Sequence, residues 1–135
     1  MNKEPLTAAT SCQTGCFVYS EADPLKRYAR SNALHDVWRT VSGIRILHRH
    51  TAQLRSDWIQ AIRNRNCREF TEDLLSHDVF ILDDLDLSSV GESFSEIIHQ
   101  IIWTVQNRSK TLIVTLANQP EHQTLAATQG FLRLT

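Results

Sequence analysis

Glycine, proline and cysteine are scarce in this 135-residue sequence, at four, three and three residues, and aromatics make up 7%. So little glycine and proline excludes a low-complexity or collagen-like chain. Three cysteines (Cys12, Cys16 and Cys67), an odd number, argue against a disulfide framework and for a reducing cytoplasm. Cys12 and Cys16 form a CxxxC with no second ligand pair nearby, so no metal site is expected. No apolar run approaches the roughly 20 residues of a membrane span, and the polar residues 1–10 do not form a secretory signal. The chain therefore reads as cytoplasmic, with no membrane partner. Serine-hydrolase chemistry finds no support either, because Ser88 and Ser89 lack a nucleophile elbow and a neighbouring His/Asp arrangement.

What is present is an ordinary apolar fraction of 41%, enough for one core that buries about two-thirds of the unfolded surface. Net charge is −1, but the average conceals a division. Residues 26–68 hold ten basic side chains against Asp36 and Asp57, whereas residues 69–106 hold nine acidic side chains and no Lys or Arg. Either the fold intermixes these stretches, or they form a dipolar surface suited to nucleic acid or head-to-tail self-association.

Short apolar or β-branched runs at 16–19, 44–48, 78–83, 111–117 and 131–135 alternate with helix-length segments. Val79 to Leu82 and Leu112 to Val114 are continuous apolar runs, the pattern of strands buried on both faces. Pro24 suits the first turn of a helix reaching Arg39, and Thr51 suits the cap of a second, with Leu54, Trp58, Ile59 and Ile62 on one face. A shorter helix is expected at 67–76. A further one is expected at 93–107, where Phe94, Ile97, Ile98, Ile101, Ile102 and Val105 recur at helical spacing. Pro120 can open a last helix that stops at Gly130. Core packing is the expectation for Trp38, Trp58 and Trp103. The alternation predicts a three-layer αβα domain on a mostly parallel, five-stranded sheet. Residues 1–14 read as a flexible tail and residues 15–135 as a single domain.

The sharpest local signal is Phe80-Ile81-Leu82-Asp83-Asp84, an apolar strand ending in two carboxylates. It resembles the Walker B element of P-loop ATPases, whose first carboxylate holds magnesium and whose second orients water. The context extends the likeness. ILHRHTAQLRSDWIQAIRNRNCREF at 46–70, DVFILDDLDL at 78–87 and TLANQPE at 115–121 resemble the AAA+ domain of the DnaA family of bacterial replication initiators, and Cys16 to Tyr19 resembles the strand before its phosphate loop. The resemblance spans roughly residues 16–121 and implies a P-loop NTPase core, with Asn118 at the sensor I strand end.

The departure lies in the phosphate loop. The family pattern GxxxxGK[ST] uses glycines so that backbone N–H groups can cradle phosphate. Here the loop reads SEADPLKR at 20–27, with Lys26 at the lysine position, both glycines absent and Arg27 in place of the metal-binding hydroxyl. Pro24 removes a donor, and Glu21 and Asp23 add negative charge. ATP and magnesium are therefore not expected as cofactors. The arginine finger, the helical lid with its sensor II arginine and the duplex-DNA-binding domain of these relatives lie beyond the matched stretch. Lys26, Asp83, Asp84 and Asn118 are thus expected to be remnants of a nucleotide site, with Asp83, Asp84 and Asn118 satisfied by local N–H donors, and no catalytic residue is assigned. His48 and His50 share one strand face without a third ligand and read as structural.

The initiators bind single-stranded DNA through the helix pair between their second and third strands. The matching stretch 51–76 carries Arg55, Arg63, Arg65 and Arg68, candidates for nucleic-acid or partner contact. The leading expectation is a non-catalytic DnaA-like regulator or adaptor in replication initiation, acting on a protein partner or on a copy of itself. The alternatives are a single-strand-DNA-binding module on the basic helix pair and a weak residual ATP binder.

Overall fold

Among the described residues, every strand finds its neighbours far away in sequence, and every pairing is parallel. The computed structural model describes residues 14–86, 92–117 and 131–134. Strands β1 (Gly15–Ser20), β2 (Ile46–His50), β3 (Val79–Asp83), β4 (Thr111–Leu116) and β5 (Phe131–Leu134) form one sheet in the order β2-β3-β4-β1-β5. The helices are α1 (Pro24–Arg39), α2 (Thr51–Arg63), α3 (Cys67–Leu75) and α4 (Glu92–Asn107). Gly15 and Val79 both pair with Thr111, Ile46 pairs with Val79, and Cys16 pairs with Phe131. One end of the sheet therefore gathers the carboxyl ends of all the strands, where ligands bind in such folds.

Alternation along each strand divides the core in two. Cys16, Val18, Phe80, Leu82, Leu112 and Val114 face Leu54 of α2, Leu74 of α3 and the apolar stripe of α4. Phe17, Val79, Ile81 and Ile113 face Leu34 and Trp38 of α1. The sheet is thus sandwiched between helical layers, which explains why β3 and β4 read as unbroken apolar runs.

Local chemistry sets the helix starts. Pro24 fills the first turn of α1, and the Asp23 carboxylate caps it by accepting from Leu25 N at 2.9 Å. α2 is capped otherwise than expected: His50 is the cap, its Nδ1 accepting from Ala52 N at 3.1 Å. Thr51 lies inside the helix, and its hydroxyl donates to the Asp83 carbonyl at 2.9 Å. The second strand begins at Ile46 rather than residue 44 because Arg45 is engaged by Asp78, with Arg45 N donating to Asp78 Oδ2 and Asp78 N to the Arg45 carbonyl. Trp103 is 58% exposed, against the expectation of core packing. Its helical neighbours His99, Gln100, Gln106 and Asn107 are all exposed polar residues, so it lies opposite the buried stripe. Trp38 is buried, and the half-buried Trp58 packs on Phe70 with ring centroids 5.7 Å apart.

Folding intermixes the two charge stretches. Arg27 pairs with Asp84, Arg45 with Asp73 and Arg68 with Glu72. The tail expected at 1–14 (apart from Thr14), the helix expected at 120–130, Ser88, Ser89 and Asn118 lie outside the described residues. Among the described residues no helix is long and apolar enough to cross a membrane.

Candidate functional site

Asp83 closes β3 on the face covered by α1, and the chain turns sharply after it. Asp84 has φ 57°, a left-handed conformation that Asp tolerates better than most residues. Thr115 of β4 fixes this turn, its hydroxyl accepting from Asp84 N and its carbonyl from Leu85 N, each at 2.9 Å. The two carboxylates thereby open on a cleft of about 410 Å³ lined by Arg27, Tyr28, Asn32, His48, His50 and both aspartates, among others.

Side chains, rather than the local N–H donors expected from the sequence, engage both carboxylates. His48 Nε2 lies 2.7 Å from Asp83 Oδ2, and His48 Nδ1 lies 2.8 Å from Nδ1 of His35 on α1. A contact between two ring nitrogens at that distance requires one shared proton, so the two rings cannot both be imidazolium. Burial, helped by His48 and Arg39 and opposed by Asp36, lowers the His35 pKa below its ordinary value. The other oxygen of Asp83, Oδ1, is buried without a hydrogen-bond partner among the described residues. His50 Nε2 approaches Asp84 Oδ2 at 3.3 Å. His48 and His50 do share one face, and that face is the cleft wall.

Arg27 completes the cluster. Its buried guanidinium donates to the carbonyls of Glu21 at 2.7 Å and Ala22 at 3.1 Å and reaches Asp84 Oδ1 at 3.4 Å. Lys26, expected at the lysine position of the motif, is exposed and does not line this cleft. The sequence shows Arg27 as the residue in place of the hydroxyl and as part of the basic stretch, not as an inward-facing cation, and does not single out His35. One signal for Arg27 was available: residues 27, 31, 34 and 38 form the buried stripe of α1, so an arginine there must turn inward.

The four candidate arginines separate. Arg55 and Arg63 of α2 line a second cleft of about 530 Å³ with Ile59, Asp84, Asp86 and Phe94. Arg65 occupies the turn after α2 at φ 56°, and Arg68 on α3 pairs with Glu72 at 3.4 Å. Neither lines that cleft. Trp58 Nε1 donates to Ser93 Oγ at 3.0 Å, tying α2 to α4.

The family model of the bacterial DnaA ATPase domain matches residues 7–130. No curated protein matches the sequence. Among solved structures, AMPPCP-bound DnaA from Aquifex aeolicus is similar at 16% identity and a TM-score of 0.75, covering 92% of this chain and 41% of that one. A replication initiator DnaA bound to AMPPCP and single-stranded DNA is similar at 14% identity and a TM-score of 0.73, with the same coverage. The DnaC helicase loader is similar at 18% identity and a TM-score of 0.66, covering 90% of this chain and 78% of that one. The present chain thus spans about two-fifths of the length of these two DnaA chains, and at such identities the likeness carries the fold.

Proposed function

The chain belongs to the bacterial DnaA ATPase domain family, and on that premise we propose that it serves replication initiation as a recognition module that does not turn over ATP. One observation carries the reading: the Arg27 guanidinium lies between Asp84 and the carbonyls of Glu21 and Ala22, beside the Walker B carboxylates. These residues do not suit a magnesium-bound triphosphate. The loop has no glycine to turn its N–H groups toward phosphate, Pro24 has no N–H, and Glu21 and Asp23 would repel the anion. What remains is an AAA+-like surface for a protein partner, either a second AAA+ domain or a copy of this chain.

Calorimetric titration with Mg·ATP tests the first half, and binding is expected to be absent; micromolar binding with turnover would sink the proposal. Solution mass measurement with and without a DnaA ATPase domain tests the second half, where a complex is expected.

A second reading is single-stranded DNA binding, supported by Arg55 and Arg63 converging on one cleft beside the partly exposed Ile59. It predicts anisotropy signals at low salt that weaken steeply as salt rises and vanish in Arg55→Ala/Arg63→Ala. Flat anisotropy at low salt excludes it.

A further inference from the structure

The segment from Glu21 to Arg27 engages several of its own backbone donors. Asp23 N donates to Glu21 Oε2 at 3.0 Å, Leu25 N to Asp23 Oδ1 at 2.9 Å, and Arg27 N to the Asp23 carbonyl at 3.0 Å. These backbone donors open a helix of 16 residues, the place where an anion is favoured, and two carboxylates of the chain already stand there. On the other side of the loop, three oxygens converge on one cation: the carbonyls of Glu21 and Ala22 and the carboxylate of Asp84. Carbonyl and carboxylate oxygens are also the donors preferred by hard divalent cations. Here the cation is a guanidinium, whose planar fork can satisfy all three acceptors at once. Thr115 holds Asp84 in its left-handed turn, so its carboxylate is aimed before any ligand arrives.

We infer that this segment and Asp84 form a built-in replacement for a metal–nucleotide complex, with the Glu21 and Asp23 carboxylates standing for the phosphates and Arg27 standing for the divalent cation. The inference rests on the proposal that the chain does not turn over ATP, and it adds a regulatory consequence. The initiator-like core stays in one state whatever the nucleotide supply, and a partner meets a surface that ATP cannot switch.

Thermal melts of the whole chain test this, using the wild type, Arg27→Ala and Arg27→Ala/Asp84→Asn, each with millimolar Mg²⁺ alone and with Mg·ATP. The wild-type melting temperature is expected to stay put under both additions. Arg27→Ala is expected to melt several degrees lower and to recover part of that loss in Mg²⁺, because the three oxygens then have no cation. The double variant is expected to show no recovery, having lost the carboxylate. Should Arg27→Ala not fold, Arg27→Gln keeps the length, loses the charge and carries the same readout.

A wild type stabilised by Mg²⁺ or Mg·ATP would overturn the inference. So would an Arg27→Ala protein that melts with the wild type, or one that Mg²⁺ leaves unrecovered, since Arg27 would then be a structural residue only. The recognition reading fails separately: a chain that is monomeric alone and forms no complex with a DnaA ATPase domain, alongside the expected melting pattern, would refute it and leave this inference standing.

Discussion

Arg27 and Asp84 lie 57 positions apart in sequence and meet at 3.4 Å across the carboxyl end of the sheet. The arginine side chain is 11% exposed and the aspartate 41%, so water reaches only one partner freely. A double-mutant cycle between Arg27→Ala and Asp84→Asn should return a coupling of about 0.5–1.5 kcal/mol that shrinks in high salt. Additive losses would show that the two side chains do not act on each other.

The backbone at Asp84 makes its own prediction. At φ 57° a β-branched side chain crowds the neighbouring carbonyl, whereas Asn adopts this conformation readily. Asp84→Val should therefore be less stable than Asp84→Asn by about 1–2 kcal/mol in denaturant titrations. Equal midpoints would mean that this turn is relaxed.

Acid should weaken the fold through His35. Its folded pKa lies below the ordinary 6.5, first because of burial and then because of His48 and Arg39. The unfolded chain therefore takes up the proton first. The stabilising contribution is complete above the ordinary histidine value and is lost as pH falls through the lowered one. Melting temperature should drop from about pH 7.5 to about pH 5.5, and His35→Gln should flatten that slope. A variant with an unchanged slope would assign the effect to another group.

Thiol chemistry should distinguish two of the cysteines. Cys16 is fully buried in β1, and burial pushes its pKa up to about 11, while Cys67 at the start of α3 is partly exposed. Peptide mapping after brief alkylation at neutral pH should find Cys67 modified and Cys16 intact until denaturant is added. Labelling of Cys16 in the native protein would mean that β1 opens.

Two aromatic residues bracket the range of stability effects. Phe80 is completely buried at the centre of the larger cluster, so Phe80→Ala should cost about 3–5 kcal/mol. Trp103, on the exposed face of α4, should cost no more than about 0.5 kcal/mol when changed to Ala. Chemical denaturation measures both, and a large loss at Trp103 would place it in a packed environment.

Legibility in the sequence followed locality. Val79 to Leu82 announced a central strand because burial on both faces leaves no polar position in the run. The period-3.6 stripe from Phe94 to Val105 announced α4 in the same way, and Pro24 marked the start of α1. Trp103 departs from the burial that aromatic character suggests, because its polar helical neighbours, also written in the sequence, assign it to the solvent face. The cleft was legible as two carboxylates at the end of a strand and a stretch at 20–27 that holds no glycine. Its internal wiring was not, because Arg27 with Asp84 and His35 with His48 and Asp83 are joined only once three strands and α1 are registered against one another. Residue type named the participants; the sheet alone decided their partners.

The strand order also bears on how the chain is made. Of the described strands β1 is synthesised before the others, yet they give it only β4 and β5 as neighbours, so Gly15 stays without its partner until Thr111 has been synthesised. Throughout that interval Phe17 and Val18 belong to an apolar segment with no sheet to join. The first of the described strands to be synthesised is thus among the last to be seated.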